Sequence, residues 1–377
     1  MLRTLRIYTL RIPLTYNTYS IDSPQSDTQL IMGLDQDISF TEVFPVHELI
    51  PDGTPFHSQA IWRISITCGQ EEGMDVLPRR EFFLHIDGIA AHSQEEAGEM
   101  LQPFLHRVCR SLSMMITRAN GNKHLFQPRV EPQYSRAEWA HRAWEEYDRA
   151  VGCEERERTV DCVDGEGNRY IEMYASFGIA AQVSCETTIY GKLPAGDFAK
   201  YYRVGNEAME YLLQEYYTAL GQENVKSKFF HLFSIIEFIE REYVHLSGAV
   251  KLYAPEEVAR IKSALAGVFP EEPDRQSRLE SAILQRVKDI TDIGREQKLV
   301  NILRRMGIHA FEEWGNVIEI QREDIRQIIR KRNDFFHGIC KSREKEGISV
   351  ERAVARLMGI CPGIIAYVAD HEPSCLD

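Results

Sequence analysis

The stretch TTIYGKLPAGDFAKYY, Thr187–Tyr202, separates two kinds of sequence. Before it, apolar residues tend to recur at every second position, the period of a strand with one buried face. LRIYTLRIPL (Leu5–Leu14), AIWRISITC (Ala60–Cys68) and REFFLHIDGIA (Arg80–Ala90) read as strands. RTVDCVDGEGNRYIEMYA (Arg158–Ala175) reads as a hairpin turning at DGEGN, and AAQVSCETTIYG (Ala180–Gly191) as a further strand. Two helices interrupt this pattern. SQEEAGEMLQPFLHRVCRSLSMMI (Ser93–Ile116) has Ser93 as its N-cap, acidic residues in its first turn and Pro103 at a point where it should kink. SRAEWAHRAWEEYDRAV (Ser135–Val151) reads as a second, more polar helix.

After Pro194 and Gly196 the period becomes 3.6. Helices are expected near 198–220, 225–246, 255–267, 275–291, 295–307, 322–337 and 349–370. FPEEPD (Phe269–Asp274) reads as a loop, and Pro362 should bend the last helix or break it in two. The fold class is therefore α+β: a mixed α/β N-terminal domain over residues 1–195, then an all-helical domain over 196–377.

The 377 residues suffice for two cores. No apolar run approaches the roughly 18–20 residues that span a bilayer, and the opening MLRTLRIYTL alternates like a strand, so no membrane is expected and a cytoplasmic location is. Eight scattered cysteines without a C-x-x-C pair read as reduced, buried thiols. A net charge of −13 argues against nonspecific coating of nucleic acid. That charge is uneven. Residues 1–200 hold 19 basic and 29 acidic side chains, net −10, and residues 201–377 hold 25 and 28, net −3.

Phosphate loops, dinucleotide turns, H-E-x-x-H and G-x-S-x-G are all missing from the sequence. What remains is RNDFFH, Arg332–His337. An arginine and a histidine at similar spacing also occur at Arg80/His85, Arg118/His124, Arg136/His141 and Arg304/His309, so context must choose among them. On a helix from Arg322, successive residues turn by about 100°. Ile325, Ile328, Ile329 and Phe336 then form an apolar stripe, with Arg332 about 20° from its centre. Asn333 and His337 lie on one flank, about 40° apart. A guanidinium inside an apolar stripe needs a partner or a task. Arg80/His85 falls in a strand, Arg118/His124 crosses a loop, Arg136/His141 lies on a polar helix and Arg304/His309 straddles Gly307. Gly338 suits a helix C-terminus, which would leave His337 in a last turn that favours imidazolium. Arg326, Arg330 and Lys331, with Lys341 and Arg343 beyond, offer positive charge to a phosphate backbone.

RNDFFH resembles the R-x(4–6)-H motif of the HEPN superfamily, whose catalytic members are metal-independent ribonucleases. KFFHLFSIIEFIEREY (Lys228–Tyr243) resembles the aromatic helix of Apea-like HEPN domains, which ends in a glutamate; here that residue is Glu237, with Glu240 as a competing partner for Arg332. The resemblance covers roughly residues 200–370 and implies an HEPN-type helical bundle. It implies Arg332, Asn333 and His337 as catalytic residues, Glu237 as their support, and no metal or cofactor. It further implies a homodimer with a shared cleft and an RNA substrate such as a transfer RNA loop. The expected setting is toxin-like action in antiphage defence, with the N-terminal domain sensing a phage or host trigger. A tyrosine two residues after the histidine, which marks toxins silenced by nucleotidyltransferases, is absent. A catalytically silent module that binds RNA or protein is the alternative.

Overall fold

The computed structural model describes residues 5–16, 29–49, 55–68, 81–120, 128–143, 174–176, 188–202, 205–265, 268, 273–313, 316–337 and 347–371. By its contacts the chain forms two compact units, Met1–Gln222 with Val368–Asp377, and Glu223–Tyr367. The change of pattern at residue 195 falls at the end of the last strand of the first unit; the units themselves divide two helices later.

Antiparallel strands β1 (Arg6–Tyr16), β3 (Ile38–Leu49), β4 (Pro55–Cys68), β5 (Glu81–Ala91) and β6 (Val130–Pro132) form a sheet in the order β3-β4-β5-β1-β6, and β7 (Glu138–Ala143) also pairs with β1. β2 (Gln29–Leu34), β8 (Tyr174–Ser176) and β9 (Thr188–Leu193) form a smaller sheet in which β2 and β9 run parallel. Alternation buries Trp62, Ile64 and Ile66 on β4 and Phe82, Leu84 and Ile86 on β5. Gly88 breaks that alternation: the β1–β5 register shifts between Tyr8 and Thr9, and Gly88 fills the bulge at φ 97°.

Helix α1 (Gln94–Ala119) packs Phe104 edge-on against Trp62, with ring centres 5.7 Å apart. Ser93 Oγ accepts from the Glu96 amide, and Glu96 accepts from the His92 amide, so two donors at the helix start are satisfied. The helix runs through Pro103 without a break. Next come α2 (Phe198–Tyr201) and α3 (Glu207–Leu220). Asn206 starts α3 by accepting from the Met209 amide, so the single helix expected over 198–220 is two.

The second sequence-predicted helix is not one. Tyr134–Arg136 is a 3₁₀ turn, and Glu138–Ala143 is β7, with Trp139 opposite Leu10 and His141 opposite Tyr8. Ladder bonds along β1, with Arg11–Glu138 at 3.3 Å and Arg142–Asp87 at 2.9 Å, outweigh the local helical preference. Most of the expected 158–175 hairpin lies outside the described residues.

The second unit contains α4 (Val225–Glu242), α5 (Pro255–Leu265), α6 (Pro273–Asp289), α7 (Arg295–Arg305), α8 (Arg322–His337) and most of α9 (Val350–His371). It is not wholly helical. Gly307, at φ 77°, ends α7 in a Schellman arrangement, with Ile308 N–H bonded to Leu303 O and Gly307 N–H to Arg304 O. Two short strands follow, β10 (Ala310–Glu313) and β11 (Asn316–Glu319). Gly359 and Gly363 let α9 approach this segment: a Cβ at either would sit 3.0 Å from Phe311 Cβ or Ile308 Cγ1. Leu357, Ile360, Cys361, Ile364 and Ile365 make α9 the core helix, and it continues through Pro362 unbroken. It is also long and apolar enough to cross a membrane, with a mean hydropathy of 1.4 over a window that is 78% buried inside the protein. No uninterrupted apolar run of that length is visible in the sequence there, since Arg352, Arg356 and Asp370 punctuate it.

Helices α5 and α6 stand apart from that core. An antiparallel bridge, Lys251 with Thr291, closes the base of the pair, with Leu252 N–H bonded to Ile290 O and Asp292 N–H to Val250 O. No described residue of either helix is buried.

Candidate functional site

Helix α8 shows the expected stripe. Ile325, Ile328 and Ile329 are buried, and Arg332 lies between them and the helix end with its side chain 28% exposed. Its Nη2 donates to Glu237 Oε1 at 3.0 Å. Glu240, the competing carboxylate, is engaged elsewhere: Arg295 holds it through Nε and Nη2 at 2.7 and 2.6 Å. That two-point pair holds the Arg295 guanidinium still more firmly in its charged form.

One turn on from Arg332, Phe335 packs against Phe229 at 5.4 Å and Phe230 at 5.5 Å between ring centres. Lys226 Nζ lies 5.6 Å from the centre of the Phe335 ring. The contacts run in opposite directions along the two helices. Lys226, Phe229 and Phe230 meet Phe335 near the α8 end, and Glu237, farther along α4, meets Arg332. This is the contact order of an antiparallel crossing. Burial lowers the pKa of Lys228 on the same helix.

Asn333 is half-buried, and α8 continues to His337 as its final residue. The helical period places positions 326, 330, 333 and 337 along one flank. Of these, Arg330 is exposed, and Arg326 is exposed in an i,i+3 pair with Glu323 at 2.7 Å. Lys331 leaves that flank, its Nζ 3.9 Å from where a Cβ on Gly347 would be. Gly338, Lys341 and Arg343 lie outside the described residues, as do the side chains of Phe336 and His337.

The rival spacings separate cleanly. Arg136 lies on a 3₁₀ turn and His141 on β7, while Arg304 and His309 fall on either side of the left-handed Gly307. His85 lies on β5, and Arg118 in the last turn of α1; Arg80 and His124 lie outside the described residues.

A second charged cluster escaped the sequence reading. Arg356, whose side chain is 6% exposed, holds Asp324 at 3.0 Å, Gln327 at 3.1 Å and Glu313 at 3.8 Å. Glu313 is 3% exposed and also receives Arg352 through Nε at 2.5 Å and Nη2 at 3.1 Å. The available signal was an arginine within the apolar pattern of α9, the same signal that singled out Arg332. This cluster ties the start of α8 to α9 and β10, so it fixes the helix that carries Arg332. Among the described residues, no group of three or more histidine, cysteine, aspartate or glutamate side chains is placed to hold a metal ion. No family model matches the chain, and neither does any curated protein or solved structure.

Proposed function

We propose that this protein is an endoribonuclease of the HEPN type, with Arg332, Asn333 and His337 as its catalytic residues and Glu237 as their support. The observation that carries the reading is the placement of Arg332. It sits at the margin of the core against Glu237 of the aromatic helix and keeps more than a quarter of its surface open. The row Arg326, Arg330, Asn333 and His337 gives the same helix a polar, cationic flank for a phosphate backbone.

The chemistry needs no metal. The RNA 2′-oxygen attacks the adjacent phosphorus, the bond to the 5′-oxygen breaks, and the products carry a 2′,3′-cyclic phosphate and a 5′-hydroxyl. His337, at a helix end that favours imidazolium, delivers the proton to the departing 5′-oxygen. Arg332 stabilises the charge on the phosphorane, and Asn333 positions the phosphate. Removing the 2′-proton requires a second base, which a second copy of the motif supplies across a twofold interface. Exposed Val250, Leu252, Val268 and Ile290, around the α5–α6 pair, give such a homodimer apolar surface. Exposed transfer RNA loops fit as substrates, because unstacked bases enter a cleft. In this reading the protein acts in the cytoplasm as a toxin-like effector of antiphage defence, restrained by its acidic first unit.

The ion pair itself favours a second reading. An arginine that serves only Glu237 would make this a silent module that binds RNA or protein. Purified protein incubated with transfer RNA in EDTA, with the product termini mapped, decides between them. Wild type should leave cyclic phosphates and 5′-hydroxyls, and His337→Ala should leave the RNA whole. Binding without cutting would establish the silent module. Equal cutting by wild type, His337→Ala and Arg332→Ala would end the nuclease reading at this site.

A further inference from the structure

A cleft of about 340 Å³ opens in the first unit between the early turns of α1 and β7. Its floor is apolar: Leu10 and Ile12 from β1, Leu101 and Leu105 from α1, none more than 2% exposed. Trp139 and Tyr134 stand at its side. Trp139 is held edge-on by Tyr8 at 6.2 Å, and Tyr134 is 54% exposed. Glu95 and Glu99 are the only charged residues among the described ones that line it. Arg11 and Arg136, on neighbouring segments, are taken by Glu138 and Glu81.

Gly98 adds an independent observation. It lies inside α1, where glycine costs about 1 kcal/mol relative to alanine. No packing contact among the described residues explains it, since a Cβ there would meet nothing within 4 Å. It borders the cleft. Its missing side chain keeps space open, at a cost in helix stability, beside an apolar floor and an aromatic wall.

We propose that this cleft docks a basic peptide segment of a partner protein. An apolar side chain rests on the floor, and a lysine or arginine lies against Trp139 within reach of Glu95 and Glu99. An aromatic face and carboxylates together suit a cation with an apolar stem. The volume is at the small end for ligand pockets and accommodates about two side chains. The net charge of −10 over residues 1–200 draws a basic partner toward this unit. None of this depends on the nuclease reading, and the test contains no RNA.

Full-length protein is titrated into a fluorescein-labelled peptide, acetyl-Leu-Arg-Leu-Arg-Leu-amide, and its glutamate counterpart, with anisotropy as the readout. The arginine peptide should bind saturably and the glutamate peptide should not. Trp139→Ala and the double variant Glu95→Lys/Glu99→Lys should each weaken binding at least about tenfold, as loss of an aromatic or charged anchor does. Gly98→Leu tests the space itself. It should block the peptide while keeping or raising Tm, because it replaces a helix glycine where a Cβ meets nothing within 4 Å. Equal binding of both peptides would overturn the proposal, as would wild-type affinity in a folded Gly98→Leu variant or no saturation with wild type. A wild-type dimer that Gly98→Leu dissociates would identify a second copy as the occupant and overturn it too.

Discussion

Replacing Arg332 by alanine should forfeit little ion-pair stability and yet cut action on RNA several hundredfold. The structure supplies the magnitudes. Arg332 meets Glu237 at 3.0 Å, with the two side chains 28% and 43% exposed. Solvent screens a pair this open, and such pairs contribute about 0.2–1 kcal/mol. In a cycle of Arg332→Ala, Glu237→Gln and the double variant, measured by urea unfolding, the coupling should fall below about 1 kcal/mol. The chemical step should respond on a different scale. Removing a charged donor from a developing phosphorane costs on the order of 10²–10³ in rate, or about 3–4 kcal/mol. Cleavage of transfer RNA should therefore fall several hundredfold in a variant that remains folded. Glu237→Gln keeps a hydrogen-bond acceptor for Arg332 and should cost far less activity. A coupling above about 2 kcal/mol, with cleavage intact in Arg332→Ala, would refute the reasoning. The arginine would then be a strut.

Three further outcomes follow from the fold. Glu313→Ala leaves the 6%-exposed Arg356 short of a carboxylate and should cost about 3–5 kcal/mol in urea unfolding; a loss under about 1 kcal/mol would mean the cluster is solvated. Gly359→Val forces a side chain into Phe311 and the backbone beside it, and should cost about 1–3 kcal/mol by the same measurement, whereas Gly98→Ala should be neutral or stabilising. Alkali should unfold the first unit. Burial pushes Cys109 from 9.0 up to about 12 and Tyr217 from 10.0 up to about 12, so the folded state keeps protons that the unfolded state has lost. Their stabilising contribution is intact below pH 9 and falls between pH 9 and 12. In Cys109→Ala, near-ultraviolet circular dichroism should place the onset of that fall nearer pH 10; an unchanged onset would show that the thiol plays no part.

Helical period set Arg332 apart from the rival spacings because a helix is a local structure, and its faces can be computed from one segment. Glu237 came from the resemblance of Lys228–Tyr243 to the aromatic HEPN helix, while the stripe of Ile325, Ile328 and Ile329 followed from that arithmetic. The choice between Glu237 and Glu240 did not, because it rests on Arg295, whose partner is distant in sequence. The same reason explains β7. Its residues favour a helix locally, and only the free edge of β1 makes them a strand. β10 and the Ile308 before it depend likewise on Gly359 and Gly363, which open α9 to their approach. Pro362 was expected to interrupt α9, but the apolar contacts around it hold the helix together. The break between α2 and α3 was visible as Asn206, an N-cap residue that the 3.6-residue period masked.

The α5–α6 pair stands on a base one bridge wide, so that stretch of chain has unusual freedom. Leu252 N–H is already bonded to Ile290 O, and a two-residue Asn-Gly turn could close the gap if everything between these two residues were removed. Among the described residues of the two helices, none is buried in the second unit's core. A change of length here should disturb the rest of the fold least. Whatever preserves these two helices must therefore act on them from outside the core.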